Sequence, residues 1–91
     1  MNPYTEKKLW GNTYLRTFSA DIPETDLIWH LDREDRVIEA THLTDWKFQF
    51  DDQLPVLLKN PISIPKNTFH RIIKGTNECT IRITKYESET K

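Results

Sequence analysis

Cysteine is nearly absent from this chain of 91 residues, which carries a single one, Cys79. That excludes an intrachain disulfide framework and a cysteine-rich zinc site. Cys79 stands in the alternation Cys79-Thr80-Ile81-Arg82-Ile83 and reads as an inert strand residue. Glycine is also scarce. Gly11 and Gly75 are the only two, which excludes a glycine-rich phosphate loop. No apolar run approaches the roughly 18–20 residues that span a membrane. The first nine residues are polar, without the apolar stretch of a secretory signal, so a reducing cytoplasm and no membrane partner are expected. No charge of one sign dominates: 13 Lys and Arg stand against 14 Asp and Glu, a net charge of −1. That balance gives no electrostatic case for nucleic acid as a partner. No Ser-His-Asp order and no Cys-His nucleophile pairing is identifiable, so no catalytic residue is assigned.

Aromatic side chains and a two-residue period are what the chain does have. Three Trp, three Tyr and four Phe supply much buried area per residue. Alternation runs through Thr13–Phe18, Asp26–Leu31, Arg36–Ala40, Asp45–Phe50, Leu54–Leu58, Ile62–Ile64, Phe69–Ile73 and Cys79–Tyr86. These are about eight short strands, rich in β-branched and aromatic residues. Turn chemistry separates them at Asp21-Ile22-Pro23-Glu24, Asp51-Asp52-Gln53, Lys59-Asn60-Pro61, Pro65-Lys66-Asn67 and Gly75-Thr76-Asn77. No helical apolar stripe is present. Leu27-Ile28-Trp29 argues for a strand, although the flanking acids resemble a helix surface. The length fits one domain over 1–91. An extra N-terminal strand is expected at about 10–20, carrying Trp10, Tyr14 and Phe18, and a frayed polar tail at 87–91. The extra strand makes a homodimer the expected assembly.

Two separated segments each place a histidine in such a run: Trp29-His30-Leu31-Asp32-Arg33-Glu34-Asp35-Arg36 and Ile64-Pro65-Lys66-Asn67-Thr68-Phe69-His70-Arg71. Pro65-x-Asn67-x-x-His70 resembles the second sequence motif of the cupins, P-x-G-x-x-H. His30-x-Asp32 resembles the start of the first, H-x-H. Trp46 to Pro55 is similar to the hairpin between them. The resemblance spans about residues 26–84, and short phage and bacterial cupin-like proteins carry similar strings. It implies an all-β fold, a double-stranded β-helix or jelly-roll barrel, with a ligand pocket inside. The departures are specific. Asp32 replaces the second histidine of the first motif. The family's glutamate position falls on Arg36 or Val37. Asn67 and Asn60 replace glycines of the second motif, and asparagine tolerates positive φ better than most residues.

Residues two apart on a strand share a face, so His30 and Asp32 can address one ion. With His70 they form the two-histidine, one-carboxylate set that suits Fe(II), and also Mn(II), Zn(II) or Ni(II). The alternative is that these histidines are hydrogen-bonded barrel residues without metal. Gln49, Arg36, Arg71 and Trp46 are the candidate residues for a small-molecule ligand or substrate. Arg36 and Arg71 can clamp an anionic group, and Gln49 can orient a ligand beside the metal. The bland counterparts are an Asp35–Arg36 ion pair at the barrel mouth, an outward Glu39, and His42 in a loop. Three functions remain open: a metal-dependent enzyme, a non-catalytic module that binds a small polar ligand, and an interaction subunit with a degenerate site.

Overall fold

The computed structural model describes residues 4–86, so the expected tail at 87–91 lies outside the described residues. The chain runs β1 (Tyr4–Trp10), β2 (Thr13–Phe18), a 3-10 turn (Glu24–Asp26), β3 (Asp35–Ala40), β4 (Lys47–Phe50), β5 (Val56–Leu57), β6 (Ile62–Ile64), β7 (His70–Ile73) and β8 (Cys79–Tyr86). Two antiparallel sheets form. One has five strands in the order β1-β2-β8-β3-β6, and the other has three in the order β5-β4-β7.

Alternation decides which side chains meet between the sheets. The pairings Phe18↔Cys79, Arg16↔Ile81 and Tyr14↔Ile83 bring β2 against β8. Ile38↔Ile83 and Ala40↔Ile81 continue the same rows into β3. From the three-stranded sheet come Trp46, at the entry to β4, and Phe48, both fully buried. With Phe18, Ile22, Ile38, Leu58, Ile64, Cys79, Ile81 and Ile83 they form the core. Full burial of one such side chain contributes about 1.5–3 kcal/mol. The Cys79 thiol is buried, and burial pushes its pKa up, which fits the inert role read from its alternation.

Two local features differ from the sequence expectation, and a third meets it in part. Tyr4–Trp10 is a strand, and with β2 it forms a hairpin through a turn at Gly11, whose φ is +48°. Its exposed polar residues hid it, since edge strands commonly carry lysine in place of an apolar stripe. The expected strand over Asp26–Leu31 does not form. Pro23 starts a tight turn in which Pro23 and Glu24 carbonyls accept from the Asp26 and Leu27 amides, and only His30 pairs beyond it. Finally, Asn67 has φ of +62° and fulfils the expectation of a left-handed residue in the turn before β7. Asn60 does not, because among the described non-glycine residues Asn67 alone has positive φ.

Gly75 is required by contact, not by its φ. A Cβ there would collide with Asp45 Oδ1 and lie 2.5 Å from Trp46 Cδ1. Among the described residues, no helix is long and apolar enough to cross a membrane.

Candidate metal centre

His30 and His70 stand forty positions apart in sequence and face each other across one antiparallel bridge. The His30 amide donates to the His70 carbonyl at 3.0 Å, and the His70 amide returns the bond at 2.9 Å. Residues directly opposed in this way project their side chains to the same face. Their rings meet edge-on with centroids 4.4 Å apart. The alternation of β7 sends His70 inward with Ile72, and its ring stacks on Phe48. His70 is 4% exposed.

The turn before β7 also fixes Asp32. The Asn67 amide donates to the Asp32 carbonyl at 2.7 Å, and the Lys66 amide donates to Asp35 Oδ1 at 2.8 Å. The left-handed Asn67 thus holds the first histidine segment against the second. Side-chain ligand atoms of His30, Asp32 and His70 all lie within 4.8 Å of one another. The expected trio therefore converges, although His30 and Asp32 stand on an irregular segment and not on a continuous strand.

Hydrogen bonding sorts the nitrogens. His70 Nδ1 lies 2.8 Å from the Thr68 carbonyl, and His30 Nδ1 lies 3.0 Å from the Ile28 carbonyl. A carbonyl only accepts, so each Nδ1 must donate and each Nε2 is left to accept or to bind a cation. His70 Nε2 lies 3.4 Å from Asp32 Oδ2. That oxygen is buried and has no hydrogen-bond partner among the described residues. A buried carboxylate oxygen without a partner costs free energy, and a cation beside it removes that cost. The donor set and the orphaned oxygen both fit a divalent transition metal.

The other carboxylate oxygen is occupied. Arg36 Nη2 lies 3.4 Å from Asp32 Oδ1, and Arg36 Nε donates to Glu34 Oε2 at 2.6 Å. Burial pushes the Asp32 carboxyl up, but His70, the Arg36 guanidinium and His30 outweigh it and hold the group below the usual carboxylate range. The expected Asp35–Arg36 pair is replaced by these contacts. Neighbours on a strand point to opposite faces, so Arg36 turns to Asp32 while Asp35 caps Lys66.

A cavity of about 440 Å³ opens above the cluster. His30, Asp32, His70 and Arg36 line it. Gln49, Arg71 and Trp46 are not among its lining residues in the described chain. Trp46 is 0% exposed, and its Nε1 donates to the Asn77 carbonyl at 2.5 Å. Gln49 and Arg71 pair with each other, Arg71 Nε donating to Gln49 Oε1 at 3.0 Å, on the face opposite His70 and Phe48. Arg71 also covers the Trp29 ring. Glu39 reaches Arg82 across the sheet, and His42 is exposed beside Thr41. Sequence reasoning missed Arg16, which lines the same cavity. Its signal was available: Arg16 stands midway between Tyr14 and Phe18, so alternation places it on their face.

Solved structures share this fold. A cupin-2 domain containing protein from Shewanella frigidimarina superimposes with a TM-score of 0.59 at 21% identity, over 88% of this chain and 76% of that one. A cupin domain from Bordetella pertussis gives 0.59 at 13% identity, over 91% of each chain. A conserved protein of unknown function from Streptococcus pyogenes gives 0.63 at 12% identity, over 98% of this chain and 78% of that one. No family model matches the sequence, and no curated protein matches it. The chain has the cupin fold, an all-β jelly roll, and identities this low extend the likeness to the fold alone.

Proposed function

We propose that this chain holds a divalent transition metal through His30 Nε2, His70 Nε2 and Asp32, and presents it to a small molecule in the cavity above. The observation that carries this reading is the Asp32 Oδ2 atom, buried, without a hydrogen-bond partner among the described residues, and 3.4 Å from an imidazole whose other nitrogen is already spent. A bound ion would supply Lewis acidity toward an oxygen atom of the ligand. The protein residues do the rest. Thr68 and Ile28 carbonyls fix the two ring orientations, Arg36 holds the far carboxylate oxygen, and Phe48 packs His70 in place.

Metal analysis of protein purified without chelator tests the proposal. About one ion per chain is expected in wild type, and a much lower content in His70→Ala and Asp32→Asn. Folded wild type that retains no metal after growth with Fe, Mn, Zn and Ni would overturn it. A second reading has its own observation. Arg36 already neutralises Asp32 at 3.4 Å, which supports a metal-free binding module. In that case, ligand binding persists in chelator.

The chain also suits a homodimer in a reducing cytoplasm. β1 is an edge strand ending in Trp10, which is 64% exposed, and Cys79 is a free thiol. Light scattering in solution tests the assembly.

A further inference from the structure

Two guanidinium groups face the cavity that holds His30, Asp32 and His70: Arg16 from β2 and Arg36 from β3. Both lie on the inner face of the five-stranded sheet, since Arg16 shares a face with Tyr14 and Phe18 and Arg36 with Ile38. Their side chains are only 14% and 13% exposed. Burying a charge is costly unless it is partnered, and each arginine is partnered on one side only. Arg16 Nε and Nη2 both reach Glu6 Oε1, at 2.8 and 2.7 Å, while its plane covers the Tyr4 ring at 3.9 Å. Arg36 uses Nε on Glu34 and Nη2 on Asp32. Among the described residues neither Nη1 has a hydrogen-bond or ion-pair partner. A guanidinium fork with unspent N–H donors matches an oxyanion.

Asp26 and Tyr4 also line the cavity, and the rest of its wall is hydrocarbon, including Leu27, Ile38, Phe48, Ile64, Ile81 and Ile83. A sugar ring placed against it would leave hydroxyl groups without partners, which is unfavourable. An apolar body would be favoured there. The volume of about 440 Å³ suits a small ligand. We infer that the ligand of this site is an amphipathic oxyanion, with an apolar body against the isoleucine wall and a carboxylate or phosphate head read by Arg16 and Arg36. This rests on the reading that the cavity is the ligand site, and it names the class of molecule that enters.

Calorimetric titration tests the inference, with bound metal quantified on the same protein sample. The probes are octanoate, octyl phosphate, 1-octanol and glucose 6-phosphate. At least one of the two octyl anions should bind about tenfold or more tightly than both 1-octanol and glucose 6-phosphate. The tighter anion identifies the head group. Arg16→Gln should weaken that anion about tenfold and leave 1-octanol unchanged. Circular dichroism verifies the fold of the variant, and Arg36→Gln serves as the second variant. Equal binding of octanoate, octyl phosphate and 1-octanol, preference for the sugar phosphate, or no loss in either folded variant would overturn the inference. Metal-loaded protein that ignores both octyl anions sinks this inference and leaves the metal centre standing. Folded wild type that retains no metal after growth with Fe, Mn, Zn and Ni, yet binds one of them through the arginines, sinks the metal centre and leaves this inference standing.

Discussion

His70 Nε2 stands 3.4 Å from Asp32 Oδ2, while its Nδ1 is committed to the Thr68 carbonyl. With a neutral imidazole, two electron-rich atoms then face each other in a buried space. A cation between them resolves the conflict, and so does a proton on the ring. The two solutions predict different metal responses. If a metal is the native solution, a divalent ion at a hundredfold excess over its dissociation constant stabilises the fold by about 2.7 kcal/mol. For a domain of this size that raises the melting temperature by on the order of 10 °C. Asp32→Asn keeps the shape and removes the charge, so most of that rise should disappear. Differential scanning fluorimetry with Zn(II), Ni(II) and Mn(II) measures both.

Much of this site was legible in the sequence, and the reasons divide cleanly. Period-two alternation placed Phe18, Phe48, Ile81 and Ile83 in the core. The expectation that Gln49 and Arg71 address the ligand ran against the same rule, since alternation turns Gln49 away from Phe48 and Arg71 away from His70, and neither lines the cavity among the described residues. Trp46 obeyed alternation as well, and its burial leaves it no ligand-facing surface. The meeting of His30 with His70 was different. It depends on a bridge between residues forty apart, and only the motif resemblance anticipated it. The irregular 27–34 segment was not legible, since Leu27-Ile28-Trp29 satisfies a strand pattern while Pro23 and the following turn prevent one.

Trp46 separates a structural from a ligand-binding role. Its ring is fully buried against Phe18, with centroids 5.4 Å apart. Trp46→Ala should cost about 3–5 kcal/mol, read from urea midpoints. Trp46→Phe should cost less and leave the affinity for any cavity ligand unchanged. A selective loss of ligand affinity in the folded Trp46→Phe variant would return this residue to the site.

Asn67 couples the turn to the metal cluster. Its φ of +62° is costly for a residue with an ordinary side chain, and its amide holds the Asp32 carbonyl at 2.7 Å. Asn67→Gly should be nearly neutral for stability, since glycine enters this region freely. Asn67→Ala should lose on the order of 1 kcal/mol. If the alanine variant strains the turn, it should also weaken metal binding, because Asp32 is positioned through that amide. Equal stability of the glycine and alanine variants in urea would show that the turn tolerates either residue.

Gly75 tests the close approach of the β7–β8 link to Asp45 and Trp46. Gly75→Ala would drive a Cβ into the Asp45 carboxylate and the Trp46 ring edge. Overpacking of this kind costs about 1–3 kcal/mol. A thermal melt of the variant reports it. An unchanged melting temperature would mean that the link moves away without strain.

The partner of that carboxylate sets a pH response. The Thr76 amide donates to Asp45 Oδ1 at 3.0 Å and Oδ2 at 3.2 Å, and the Thr76 hydroxyl donates to Oδ2 at 2.8 Å. These bonds, the backbone amide foremost, hold the Asp45 carboxyl below its ordinary value. The sign follows from proton binding. The unfolded chain takes up the Asp45 proton at about pH 3.9, and the folded chain only at lower pH. The stabilisation is therefore complete above the unfolded value and is lost as pH falls through the folded one. Asp45→Asn keeps one acceptor for the Thr76 amide and removes the titrating group. Urea midpoints taken from about pH 5 down to about pH 2 should fall less steeply in the variant than in wild type. Parallel curves for the two proteins would show that the Thr76 contacts do not favour the ionised carboxylate.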